Sequence, residues 1–138
     1  MKQKRPYPKV RITRKAEHSV KNGHPWIYGE EIIDTEGAIQ NGELVDVLSG
    51  NSYMGTGFYN SNSKITVRLI SRNANDVFDD RFWHRRVEYA IRYRKTVMPG
   101  ADFSCCRLVH GEADQMPGLT VDRYGSILSV QITCLGME

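Results

Sequence analysis

Two glycines, Gly55 and Gly57, stand two positions apart in a run of residues typical of a β-strand. Side chains two apart along a strand point to the same side of the sheet, so residues 53–58 lack side chains at two places on one face. Such a face allows the strand to coil sharply or another backbone to approach closely. A small barrel needs this freedom, and the glycine pair therefore predicts one in this part of the chain.

The first seventy residues contain short runs in which apolar and polar residues alternate between turn-forming residues. Alternation with a period of two predicts half-buried strands, here at residues 10–13, 31–34, 43–48, 53–58 and 65–70. Residues 15–22 are predicted as a short helix that Gly23 ends. Two glycines, a proline and two large aromatic residues in 23–29 predict an irregular turn that presents ring faces. These elements together indicate a small closed or partly open β-barrel.

The pattern changes at the polar linker 72–76, after which apolar residues recur at three- and four-residue spacing. This spacing predicts an amphipathic helix over 79–97, capped by Asp76 or Asp79. Further strands are predicted at residues 107–110, 119–124 and 127–133. One helix beside so thin a sheet indicates an unfinished α/β unit with an exposed edge at 127–133. That edge could pair with a second copy, so a homodimer is one expected assembly.

Several classes of protein are disfavoured by composition. The sequence contains no run of eighteen apolar residues and no secretory signal, so we expect a cytoplasmic protein without a membrane partner. We expect the three cysteines to be reduced, because adjacent cysteines close a disulfide only with strain. Their spacing does not match a zinc site, so no metal is expected. We interpret all three, Cys105, Cys106 and Cys134, as small buried residues.

Positive charge is concentrated near the start of the chain. Residues 1–30 contain eight lysines and arginines against two glutamates, whereas the remainder is net negative. Basic side chains gain affinity for a phosphate backbone by releasing its condensed counterions, which makes this segment a candidate nucleic-acid footprint. A solubilising, partly disordered arm is the alternative. The RNA contacts that we predict are Arg11, Arg14, Lys15, Lys21, Gly23 and His24, and the structural alternative for each is a solvated surface position.

The neighbouring aromatic turn has two interpretations. Gly23 would let a phosphate approach the backbone closely, and His24 or Tyr28 could stack on a base. Trp26 is expected to pack in the barrel core instead, because a buried tryptophan often anchors a small β-domain.

His110, Glu112 and Asp114 carry a rival, enzymatic interpretation. On an extended strand these three residues share a face, where they could bind a divalent metal or transfer protons. The sequence offers no further ligand, nucleophile or phosphate cradle to complete such a site. The favoured interpretation is a polar network that ties this loop to a further domain, formed by Arg107, Glu112, Asp114 and Arg123.

Three segments carry a resemblance to a known family: GHPWIY at 23–28, GTGFYN with SKITVR at 55–68, and RLVHGEADQMPGLTVDRY at 107–124. Together they resemble the bacterial class I SAM-dependent methyltransferases that carry an N-terminal PUA domain and methylate cytosine carbon-5 in 23S rRNA. The resemblance implies an α+β fold with two parts. Residues 1–73 would be a PUA-like RNA-binding barrel, and 74–138 would be the first part of an α/β linking domain.

The resemblance also implies what this chain lacks. In that family a Rossmann methyltransferase domain follows, with a Gly-rich SAM-binding loop and a nucleophilic cysteine. No strand here is followed by a Gly-rich loop that opens a helix, so we expect that domain to be absent and no cofactor to bind this chain. S-adenosylmethionine (SAM) would serve the parent enzyme, and this chain would bind ribosomal RNA without catalysing a reaction. A stand-alone RNA or ribosome adaptor and a small metal-dependent enzyme remain the alternatives.

Overall fold

A computed structural model describes residues 5–138 and divides at Ala74 and Asn75 into two compact units. The first unit is a single sheet with one helix laid against it. Its elements are β1 (Lys9–Ile12), α1 (Arg14–Lys21), β2 (Trp26–Tyr28), β3 (Ile32–Glu36), β4 (Leu44–Ser49), β5 (Ser52–Tyr59) and β6 (Ile65–Ser71).

The six strands lie in the order β2-β6-β5-β4-β1-β3. All neighbours are antiparallel except β1 and β4. In a flat sheet the outermost strands would lie about 24 Å apart. Here those strands, β2 and β3, are consecutive in the chain and joined only by the 3-10 turn Gly29–Glu31, a connection that spans at most about 14 Å. The sheet must therefore curl, as the glycine pair predicted.

Backbone contacts at the two glycines show why the curl needs them. A Cβ atom on Gly57 would lie 2.3 Å from the carbonyl oxygen of Arg68, and one on Gly55 would lie 2.8 Å from that of Ser71. Both distances are shorter than atomic contact permits. Strands β5 and β6 can approach this closely only where β5 has no side chain. Inside the curl lies an aliphatic core that includes Val10, Ile12, Ile27, Val45, Val47 and Val67.

Two predictions for residues 23–29 are wrong. Trp26–Tyr28 is a strand, not part of an irregular turn, and Trp26 pairs with Arg68 of β6. Because side chains alternate along a strand, only Ile27 points into the core, where it is fully buried. Trp26 is only half-buried, so the expectation that it anchors the barrel core is also wrong.

The second unit contains one long helix and a three-stranded antiparallel sheet in the order β7-β8-β9. Its core is formed by Ala90, Val109 and Met116. The side chain of Asp79, one of the two predicted caps, accepts a hydrogen bond from the Phe82 amide at 2.9 Å. The elements are α2 (Asp80–Val97), β7 (Cys105–His110), β8 (Leu119–Tyr124) and β9 (Ile127–Ile132), with 3-10 turns at Gly111–Asp114 and Leu135–Met137.

Surface properties of the second unit differ in part from expectation. Strand β9 is exposed along its whole length and forms one edge of the sheet. The cysteines are free thiols, but only Cys134 is buried, whereas Cys105 is exposed and Cys106 half-buried. The interpretation of all three as buried residues is therefore wrong for the first two. No helix within residues 5–138 is long and apolar enough to cross a membrane.

Candidate nucleic-acid interface

Helix α1 presents basic side chains to solvent on one side. It begins at Thr13, whose Oγ1 accepts a hydrogen bond from the Ala16 amide at 3.2 Å. Ala16 and Val20, about one turn apart, are buried in the core and fix the inward side of the helix. At about 100° per residue, the outward arc carries the exposed side chains Arg14, Lys15, His18 and Lys21.

Part of this positive charge is already neutralised. Lys21 Nζ lies 2.5 Å from Glu17 Oε1, and Glu17 also accepts a hydrogen bond from Ser49 Oγ at 2.7 Å. These two contacts hold the pKa of the Glu17 carboxyl below its usual range. In the part of the chain that the structure describes, no ion pair within 4 Å holds Arg14 or Lys15. Those two side chains are therefore the most available to a phosphate.

Arg11 belongs to a separate cluster between β1 and β3. Its guanidinium lies 3.2 Å from the Asp34 carboxylate and 3.0 Å from that of Glu36, which Lys9 also contacts at 3.2 Å. The basic footprint is therefore weaker than the count of charges predicts. Ion pairs hold four basic residues of segment 1–30, which are Arg5, Lys9, Arg11 and Lys21. Lys2 and Lys4 lie outside the described residues.

The chain leaves α1 into a shallow groove of about 550 Å³ that includes Gly23 and His24. Gly23 has a φ of 104°, and no atom lies within 4 Å of where its Cβ would be. This side of the backbone is therefore open to solvent. The Gly23 and His24 amides, however, donate to the carbonyls of Val20 and Ser19 at 3.0 Å. Recognition in this groove must therefore come from side chains.

A row of rings extends from this groove along β2. The His24 ring stacks on Tyr28 with centroids 6.2 Å apart and meets Trp26 edge-on at 5.8 Å. The Arg68 guanidinium of β6 lies 5.5 Å from the centre of the Trp26 ring. Neither Trp26 nor Arg68 was predicted from the sequence as a member of this surface. The signal was present, because His24, Trp26 and Tyr28 alternate as outward positions of a strand do.

The rival site in the second unit does not assemble. Gly111–Asp114 is a 3-10 turn, so His110, Glu112 and Asp114 do not share the face of an extended strand. The Asp114 carboxylate instead accepts a hydrogen bond from the His110 amide at 2.6 Å. No group of three or more His, Cys, Asp or Glu side chains suited to a metal occurs within residues 5–138.

The polar network predicted around this loop has different members. Two nitrogens of Arg94 donate to the two Asp114 oxygens at 3.1 and 2.8 Å. Arg107 pairs with Asp122 at 2.7 and 3.0 Å. Arg123 donates to the Gly125 carbonyl at 2.8 Å. The network was predicted without Arg94, which α2 supplies as the partner of Asp114 from twenty residues earlier in the chain.

Comparison with known proteins agrees with the curled sheet of the first unit. A family model described as a PUA-like domain matches residues 10–72. Residues 10–72 are therefore similar to that family, and we refer to them as the PUA-like domain. The matched segment covers every strand of the first unit except the first residue of β1, together with the α1 surface and the ring row.

The chain is also homologous to ribosomal RNA large subunit methyltransferase I. It is 29% identical to the Klebsiella pneumoniae protein over 96% of this chain and 33% of that protein. It is 32% identical to the Pseudoalteromonas atlantica protein over 88% of this chain and 31% of that one. The chain thus spans about a third of the length of these relatives. The PUA-like domain and most of the second unit are both included in the similarity.

Solved structures share the fold. A candidate SAM-dependent methyltransferase from Streptococcus mutans aligns with a TM-score of 0.71 and 18% identity, covering 88% of this chain and 32% of that one. A candidate methyltransferase in complex with SAH aligns with a TM-score of 0.70, also at 18% identity, and 31% of it is covered. At this identity the likeness concerns architecture alone.

The described residues do not fit SAM. A class I methyltransferase binds this type of cofactor at a Gly-rich loop between a strand and a helix. Within residues 5–138, helices α1 and α2 follow β1 and β6. Their connections, Thr13 and residues 72–79, contain no glycine. Neither the PUA-like domain nor the second unit therefore offers the usual platform for the cofactor.

Proposed function

We propose that this chain is the RNA-binding region of a SAM-dependent rRNA cytosine-C5 methyltransferase, and that it has no catalytic activity alone. Homology over nearly the whole chain to rRNA methyltransferases three times as long carries this proposal. Residues 1–73 would bind ribosomal RNA in the cytoplasm, and 74–138 would begin the linking domain. Methyl transfer would need a SAM-binding domain outside these residues.

The proposed RNA surface joins the exposed arc of α1 to the row of rings on β2. Arg14 and Lys15 would neutralise phosphates first, and Lys21 would exchange Glu17 for a phosphate at some cost. A phosphate would approach at the open side of Gly23, while His24 stacks on a base. Arg11 would contribute least, because two carboxylates already flank its guanidinium.

Charge reversal on α1 tests this surface. The double variant Lys15→Glu/Lys21→Glu should bind a structured 23S rRNA transcript at least about tenfold more weakly at low salt. Its plot of log affinity against log salt should be shallower by about two phosphate contacts. Filter binding of the 138-residue chain between low and high salt measures both quantities.

A charge-matched control separates this surface from a general effect of net charge. Arg72→Glu/Arg123→Glu changes the charge equally at exposed positions that lie on neither helix. An equal loss in the control and the α1 variant would refute the proposed surface, as would salt-independent binding. The reading frame after codon 138 distinguishes a methyltransferase, with an in-frame SAM-binding domain, from a stand-alone RNA adaptor, with a stop codon.

A further inference from the structure

The second unit contains a groove of about 850 Å³ between α2 and the segment that leaves β7. This volume lies within the range of small-ligand sites. Four arginines line it against only two aspartates, so its wall is basic. The arginines are Arg85, Arg86, Arg94 and Arg107, and they are joined by Tyr89, Tyr93 and His110.

The arginines of this groove differ in whether an aspartate already pairs with them. Arg94 is bound by Asp114 and Arg107 by Asp122, so neither pair contributes much net charge. In residues 5–138, no ion pair within 4 Å holds Arg85, which is exposed. Of the four arginines that line the groove, Arg85 is therefore the one most available to an added anion.

Arg86 is held close to the wall. Its guanidinium lies 4.7 Å from the centre of the Phe82 ring and donates a hydrogen bond to the Gln115 side chain. Burial lowers the pKa of Arg86, and although Asp76 acts in the opposite direction, the nearby Arg85 charge lowers it further. An anion bound between Arg85 and Arg86 would offset the repulsion between their two positive charges. The pair is thus electrostatically suited to a phosphate.

The tyrosines supply flat surfaces beside that charge. Tyr89 is 56% exposed and Tyr93 is 63% exposed, both unusual for large aromatic side chains. Arg85, Tyr89 and Tyr93 follow one another at four-residue intervals, so they lie along one stripe of α2. The stripe advances about 6 Å per step, a spacing that an extended, unstacked strand of nucleotides can match. The Arg92 guanidinium, 5.8 Å from the Tyr89 ring centre, adds further positive charge.

We propose that this groove is a second RNA-binding site, specific for an unpaired segment of RNA. Phosphates contact Arg85 and Arg86, and two bases stack on the rings of Tyr89 and Tyr93. Aromatic rings beside arginines are the general means by which proteins bind single strands without reading their sequence. The proposal depends only on residues of the second unit, and it can fail while the proposed function of the PUA-like domain stands.

Removal of the two rings tests the site. We expect the 138-residue chain to bind a fluorescein-labelled, unstructured ten-nucleotide RNA, and Tyr89→Ala/Tyr93→Ala to weaken that binding roughly tenfold or more for each ring. Tyr89→Phe/Tyr93→Phe keeps the stacking faces and should retain affinity to within about twofold. Fluorescence anisotropy at low salt measures these changes. Far-UV circular dichroism establishes that each variant is folded.

Tyr124→Ala is the matched control, because Tyr124 is 58% exposed in the same unit but lies on β8 and does not line the groove. An equal loss in this control would overturn the proposal. A wild-type chain that does not bind the oligonucleotide would overturn it as well. If Lys15→Glu/Lys21→Glu lowers affinity for the structured transcript while the tyrosine variants bind the oligonucleotide normally, only the groove proposal fails.

Discussion

The ion pair between Arg94 and Asp114 fastens α2 to the loop after β7. Both side chains are largely buried, at 13% and 8% exposure, and they meet through two hydrogen bonds. The second unit has a small core, so we expect a buried contact between its helix and the turn after β7 to add to its stability. Removing the guanidinium should therefore be costly.

Arg94→Met tests the size of this contribution. Methionine keeps much of the alkyl stem but leaves the Asp114 carboxylate buried with the His110 amide as a remaining donor. Breaking one partner from a buried pair costs about 3–5 kcal/mol. Because the His110 amide still satisfies part of the carboxylate, we expect the free energy of unfolding of the second unit to fall by about 3 kcal/mol, the lower end of that range.

Urea unfolding followed by tryptophan fluorescence measures this loss. The chain has two tryptophans, one in each unit, so Trp26→Phe leaves Trp83 as the reporter for the second unit. Arg107→Met in the same background is the matched control, because Arg107 also pairs with an aspartate in two contacts but is 48% exposed. Arg107→Met should lower the free energy of unfolding by at most about 1 kcal/mol.

The same pair predicts a dependence on pH. Burial raises the pKa of Asp114, but hydrogen bonds from Arg94 and the His110 amide outweigh it and hold the pKa below its usual range. A lowered folded-state pKa contributes stability above the unfolded pKa of about 3.9, and this stability is lost as the pH falls through the folded value. The difference in the free energy of unfolding between wild type and Arg94→Met should therefore become smaller from pH 7 towards pH 3. This reasoning would be refuted if both arginine variants lost the same free energy of unfolding. It would also be refuted if the loss in Arg94→Met grew larger in acid.

Two further predictions concern the sheets. Gly57→Ala should destabilise the PUA-like domain by several kcal/mol in urea unfolding, because its Cβ would meet the Arg68 carbonyl. Gly50 has a φ of 56° and an open Cβ position, so Gly50→Ala should lower the free energy of unfolding by only about 1–2 kcal/mol. Similar costs at the two glycines would contradict the close approach of β5 and β6. The exposed edge of β9 should pair with a second copy at high concentration, and Val130→Lys should shift sedimentation toward the monomer. A wild-type chain that stays monomeric at every concentration would refute the homodimer.

Local patterns predicted the elements whose residues contact near neighbours in sequence. The strands within 43–70 and the helix over 79–97 have clear alternation or helical spacing, and the structure contains them with small changes of boundary. The parallel pairing of β1 with β4 was not predicted, since it joins segments more than thirty residues apart. Strand β2 was missed because the residues Gly23, Pro25 and Gly29 around it favoured a turn over the short alternation within it.

The candidate RNA surface was predictable in composition but not in charge. Sequence counts treat Arg11 and Lys15 as equal cations, yet folding places Arg11 between Asp34 and Glu36 and leaves Lys15 outside any ion pair that the structure describes. Those partners lie 23 and 25 residues away in the chain, beyond the reach of local patterns. The groove of the second unit was hidden for the same reason, because its wall combines α2 with the loop after β7.

Photo-crosslinking of the 138-residue chain to a 23S rRNA transcript, mapped by mass spectrometry, tests the central claim most directly. If the PUA-like domain binds RNA through α1 and the adjoining rings, crosslinked peptides will include residues 14–28, with His24 or Tyr28 among the modified side chains. Crosslinks confined to the β1 and β3 surface around Arg11, or a transcript that forms none within residues 10–72, would contradict it.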